Sequence, residues 1–163
     1  GVSFNGHAGA IDWIQSRFAK QRPATLYFDE VRTPTYTDCL NSVYETLLAN
    51  QLAGLYHAGG PRRLSLYQIA QVINRVGGYD PELLMGCPRI EAGPIPPRAG
   101  NVSMDSTRLT TVLGYEPFDP WPLEEEWVPT HDNWHHDRTG FLGSPDMLAE
   151  VLYQNPRRAR GAA

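Results

Sequence analysis

The chain has 163 residues, a formal charge of -4, 41% apolar residues and two cysteines. A chain of this length buries a core without disulfides or metals. The acidic balance gives no electrostatic reason to expect nucleic acid or an anionic membrane as partner, and no apolar run approaches the roughly 20 residues of a membrane span. Cys39 and Cys87 lack CxxC spacing and follow no secretory pattern, so reduced thiols in a cytoplasmic protein are expected.

In chain order, "GVSFNG" is an apolar run that stops in a turn. It reads as the tail of a strand whose start and neighbours lie outside this chain. From Ala8 to Lys20, Ile11, Ile14 and Phe18 recur at helical spacing, and Arg22-Pro23 ends the helix. The short, β-branched and aromatic run Ala24 to Phe28 predicts a strand, closed by Asp29-Glu30. A second helix opens at Tyr36 or Thr37, with Thr37 the better N-cap, and ends near Gln51; Leu40, Val43, Leu47 and Leu48 are its expected buried stripe.

"GLYHAGG", from Gly54 to Gly60, predicts another short strand. Ser65 and Gln68 form a capping box ahead of Ile69, Val72, Ile73 and Val76, and Gly77-Gly78 ends that helix. Strand, helix, strand and helix with short links predict a right-handed parallel crossover, hence an α/β fold. The proline-rich run from Cys87 to Gly100 predicts an extended surface segment, and Asp105 caps a short helix from Ser106 to Leu113. Further helices are expected from Pro122, limited by Pro129, and from Asp146 to Tyr153. With no internal repeat or flexible linker, residues 1–130 read as one unit and 131–163 as a partly mobile appendage.

Several chemistries lack their residues. No GxGxxG or GxxGxxG turn is present to bring a pyrophosphate to a helix N-terminus, so the chain alone is expected to hold no NAD(P). The single lysine, Lys20, has Ser16 four positions before it, which excludes a tyrosine-lysine acid pair at that spacing. GxSxG, HExxH and P-loop motifs are absent. His131, His135 and His136 with Asp132 and Asp137 place two imidazoles at i and i+4, yet no third ligand stands at a recognised spacing; a solvated helix end is the simpler reading and no metal site is assigned. His57, within an apolar run, reads as a buried structural histidine rather than a base. The other 13 of the 14 basic residues are arginines, which suits forked recognition of phosphate or carboxylate, although an arginine-rich genome produces the same bias.

Four stretches in order resemble the dTDP-4-dehydrorhamnose reductase family, a branch of the extended short-chain dehydrogenases. "DEVRTPTYTDCL" is similar to that family's D-Q-x-G-x-P-T segment and following helix, and "GLYHAGG" with "SLYQIAQVI" to its G-x-Y-H strand and next helix. "IPPRAGNVSMDSTRLTTVLGYEP" is similar to its R-P-x-x-S-x-L-D-x-x-K-L segment, and "GVSFNG" to the strand end after its active-site helix. The resemblance runs from about Gly1 to Trp127. It departs at Glu30 for Gln, Arg32 for Gly and Ala99 for Pro.

The resemblance implies the C-terminal, substrate-binding half of a Rossmann-like doubly wound sheet, without the half that carries NADPH or NADH and the catalytic pair. It implies an NAD(P)H-dependent reductase of a 4-keto-deoxysugar nucleotide. Arg32, Thr35, Tyr36 and Arg98 would be substrate-binding residues, and no residue here catalytic. Arg98 suits a diphosphate; Arg32 is either a second cation or a surface arginine filling the space of the family's glycine, and Pro34 fixes the turn. Expected partners are the nucleotide-sugar substrate, the missing cofactor-binding half and a second copy of the chain. Alternatives are an epimerase or dehydratase of the same superfamily, a non-catalytic regulatory module, or a bare fragment with an exposed sheet flank; the missing elements favour the fragment.

Overall fold

The computed structural model describes residues 9–92 and 99–129. The expected helix from Asp146 to Tyr153, the histidine cluster at 131–136 and the appendage at 131–163 lie outside the described residues. Helix α1, Ala10–Ala19, turns Ile14 and Phe18 into the core and leaves Ile11 at the rim. It ends where Arg17 Nε donates to the Pro23 carbonyl at 2.7 Å, which brings the chain round into strand β1, Ala24–Tyr27.

The partner of β1 differs from the expected one. β1 pairs in parallel with β4, Leu84–Cys87, in a register running from Ala24 opposite Leu84 to Tyr27 opposite Cys87. The "GLYHAGG" stretch forms no strand. Its two final glycines pass so close to Thr33 and Pro34 that a Cβ on Gly59 would run into the Thr33 hydroxyl and one on Gly60 into the Pro34 carbonyl oxygen. That approach is made by close packing where a pleated ladder was predicted, and it leaves His57 exposed rather than buried.

Helix α3, Leu66–Val76, carries the strongest amphipathic pattern and the predicted capping box. Ser65 Oγ accepts from the Gln68 amide at 3.0 Å and Gln68 Oε1 accepts from the Ser65 amide at 2.9 Å. The helix lies over β1 and β4 and against α1, burying Tyr67, Ile69, Ala70, Val72 and Ile73, while Val76 stays exposed at its end. Each large apolar side chain buried in this way contributes about 1.5–3 kcal/mol. Gly86 on β4 is where the rings of Tyr67 and Phe28 settle: a Cβ there would stand 3.0 Å from Tyr67 and 3.3 Å from Phe28.

A smaller second cluster joins α2, Thr37–Ala49, to α4, Thr107–Leu113, through Val43, Leu109 and Phe118, with Leu40, Leu47, Tyr56 and Ala58 packed on it. Tyr36, not Thr37, is the N-cap of α2, with no side-chain cap bond and its ring packed against the main core, so the helix begins at Thr37, one residue earlier than a Thr37 cap would place it. Leu48 is 87% exposed, because it sits about 100° round the helix from Leu47 and leaves the shared face. α4 stops at Gly114, whose φ of 77° is the left-handed cap geometry.

The segment from Pro122 is a short 3-10 turn, Glu125–Trp127, not a helix. Trp121 is buried in the core and Trp127 packs against it, so both ends of the stretch are pinned, and Arg62 pairs with Glu125. The predicted surface run from Cys87 is also corrected. Pro88 and Arg89 are buried and a 3-10 turn follows at Arg89–Ala92, because Arg89 finds a carboxylate partner inside. The architecture is α/β, with a parallel strand pair and packed helices as expected for part of a Rossmann-like doubly wound sheet.

Candidate functional site

Both strands of the parallel pair end on the same side, and their first following residues meet there. Asp29, two residues beyond β1, receives the Arg89 backbone amide on Oδ1 at 3.0 Å and the Arg89 guanidinium Nε on Oδ2 at 3.0 Å. The two side chains are 2% and 1% exposed. A pair so fully removed from water holds together only with this quality of geometry, since removing either partner leaves a buried charge uncompensated. It welds the end of β1 to the end of β4.

From that weld the chain builds a wall. Val31 and Arg32 form β2, which pairs antiparallel with β3, Leu64–Ser65, on one side. On its other side the Val31 amide donates to the Gly100 carbonyl at 2.7 Å and the Val31 carbonyl accepts from Val102 at 3.1 Å. Met104 then donates its amide to Thr33 Oγ1 at 3.2 Å, and Gly60 donates to the Thr33 carbonyl at 3.2 Å. Ser106 accepts from the Gly59 amide at 2.9 Å and donates to the Gly59 carbonyl at 2.8 Å. Between these segments lies a cleft of ≈ 260 Å³, lined by Thr33, Gly59 to Pro61, Arg63, Met104 to Thr107, Thr110 and Glu116.

The charges around the cleft are mixed. Asp105 is held below the usual carboxylate range by the Thr107 hydroxyl and then by the Thr107 amide, with the positive charges of His57 and Arg63 acting in the same sense. The helix starts at Thr107 with Ser106, not the predicted Asp105, at the N-cap and no side-chain cap bond; Asp105 Oδ1 instead accepts from the Thr107 amide at 3.0 Å one position earlier. Cys87, at the end of β4, is pushed up to about 11 by burial, then by the nearby carboxylates of Glu91 and Asp29. Among the described residues no group of acidic, histidine or cysteine side chains is placed to hold a metal.

The residues singled out in the sequence are placed as follows. Arg32 is 28% exposed; its Nη2 lies 3.1 Å from Oε2 of fully buried Glu30 and its Nη1 donates to the Val31 carbonyl at 3.0 Å. The two departures from the family pattern, Glu30 and Arg32, are thus partners. Thr35 Oγ1 is buried without a hydrogen-bond partner. Tyr36 accepts the Leu123 amide on its hydroxyl at 3.0 Å. Arg98 lies outside the described residues. Of the segment from Thr33 to Tyr36, expected on the pocket wall, Thr33 lines the cleft, whereas Arg32, Thr35 and Tyr36 are not among its lining residues. Arg89 is a second residue that the sequence did not single out, since its partner Asp29 stands far off along the chain.

A parallel strand pair covered by helices defines the class: part of a doubly wound α/β protein. Residues 5–124 match the family model described as the RmlD substrate binding domain, and the chain belongs to that family. No curated protein is matched by sequence. Among solved structures, the chain is similar to dTDP-4-dehydrorhamnose reductase from Bacillus anthracis str. Ames in complex with NADP, with a TM-score of 0.63 at 17% identity over 70% of this chain. The match spans 40% of that reductase's length. No helix of the described residues is long and apolar enough to cross a membrane.

Proposed function

We propose that this chain is the nucleotide-sugar-binding part of an NAD(P)H-dependent reductase acting on a 4-keto-deoxysugar nucleotide in the cytoplasm. The family match over residues 5–124 carries the reading. The geometry supports it through the position of the cleft beyond the strand ends, where open parallel sheets hold ligands. In this reading Arg32, Thr35, Tyr36 and Arg98 bind the substrate, with arginine forks taking the diphosphate, while Thr33 is the residue of the first stretch that lines the cleft itself. The unpartnered Thr35 hydroxyl is the best-founded of these, since a buried hydroxyl without a partner is costly until a ligand satisfies it.

The nicotinamide cofactor belongs to a separate cofactor-binding half, where it supplies the hydride. This chain's part is to bind and orient the sugar nucleotide, which shortens the search for a productive geometry. A homodimer is the assembly in which both halves would operate.

Calorimetric titration of the protein with dTDP, thymidine and UDP tests the proposal. Binding of dTDP at least tenfold tighter than thymidine is expected, because the diphosphate carries the arginine contacts. Equal affinity for dTDP and thymidine would remove the diphosphate site, and no binding of any of the three would remove the reading.

A further inference from the structure

We infer that Arg89 is a positioning residue for the ligand wall, acting through Asp29 and Gly100 on Arg32 and Thr33; the inference rests on the proposed nucleotide-sugar reading. Arg89 is the largest of the fully buried side chains and comes from a segment that itself lines no part of the cleft. Its backbone and side chain together take both oxygens of Asp29. Gly100 sits directly against its guanidinium: a Cβ on Gly100 would meet Arg89 Nη2, and would stand 3.0 Å from the Asp29 carbonyl oxygen.

One guanidinium therefore stands between two segments, bonded to Asp29 on one and packed against Gly100 on the other. On one side is the chain leaving β1, which continues through Glu30 and Val31 to Arg32 and Thr33. On the other is the chain entering at Gly100, which continues through Val102 to Met104. The rungs between them, from Val31 to Gly100 and Val102 and from Thr33 to Met104, all lie downstream of the Arg89 contact. A lysine has the charge but not the planar fork, so it cannot hold Asp29 and the passing Gly100 backbone in the same geometry.

The test is a double-mutant cycle read by dTDP affinity, with amide hydrogen exchange as a ligand-free readout. Arg89→Lys is expected to weaken dTDP about tenfold, and Arg89→Lys with Arg32→Gln to weaken it by less than the product of the two single losses, since part of the first change acts through the second residue. Faster exchange of the Val31 and Val102 amides in Arg89→Lys is expected, with near-UV circular dichroism retained. Gly100→Ala, which displaces the guanidinium from the other side, should reproduce both effects and serves if Arg89→Lys fails to fold. Losses from Arg89→Lys and Arg32→Gln that multiply, or unchanged exchange at Val31 and Val102 in the folded variants, would overturn the inference. If the unaltered protein does not bind dTDP, the functional reading fails, and the exchange result alone decides the positioning role.

Discussion

Arg32 and Glu30 face each other across a single residue, the guanidinium 3.1 Å from a carboxylate that is fully buried. In the related family pattern these positions carry glycine and glutamine, so one replacement supplies the charge that the other requires. Removing the arginine alone is expected to destabilise the protein by about 1–3 kcal/mol, the cost of weakening a charged hydrogen bond to a buried group that remains partly screened. Glu30→Gln with Arg32→Gly should recover most of that loss. Urea denaturation of the two single variants and the double variant measures the coupling; strictly additive losses would show that the two residues act independently.

The glycines predict a second contrast. A Cβ at Gly60 meets the backbone carbonyl of Pro34, which cannot rotate away, whereas Gly78 has a φ of 61° and open space around it. Gly60→Ala should cost about 3 kcal/mol by overpacking and disturb the cleft. Gly78→Ala should cost roughly 1–2 kcal/mol, from the left-handed backbone alone. Thermal melts of both variants, with dTDP titration of those that fold, separate the two effects.

Thr35→Val is expected to stabilise the ligand-free protein by about 1 kcal/mol, since it replaces a buried hydroxyl without a partner by a methyl of similar shape. The same variant should bind dTDP or its sugar conjugate more weakly, while Thr35→Ser retains binding. A stabilised variant with undiminished affinity would take Thr35 out of the site.

Stability above neutral pH should follow Cys87. Its thiol is raised from 9.0 to about 11 in the folded protein, so the unfolded chain releases this proton first. The contribution is fully present below pH 9 and is lost as the pH rises towards 11. Denaturation midpoints measured from pH 8 to pH 11 should fall over that window and fall less in Cys87→Ala. Iodoacetamide alkylation of Cys87 in the folded protein should rise over the same range, because the thiolate is the reactive form.

Helical elements were legible where periodicity and caps agreed. Ser65 and Gln68 mark the start of α3 and Gly77 its end, because capping is a local affair of a few residues. The strand read into "GLYHAGG" failed for the opposite reason. Glycines beside apolar residues suit a strand end as well as a backbone pressed against a neighbouring segment, and only the neighbour, Thr33-Pro34, decides between them. Arg89 was hidden in the same way. Its role depends on Asp29, distant along the chain, and a proline-rich surrounding reads as surface. Of the proposed wall, Arg32 was recognised as a departure, but its partnership with Glu30 required the turn geometry of β2.

The double hydrogen bond between Ser106 and Gly59 means that the floor of the cleft and the start of α4 travel as one piece. Gly60, on that floor, and Met104, just ahead of α4, each return a hydrogen bond to Thr33. Thr33 is thus the point where the β2 chain meets both the floor and the approach to α4 at the cleft itself, and a bulkier occupant would press first on its contacts, with the Val31 rungs and the Ser106 bridge behind them.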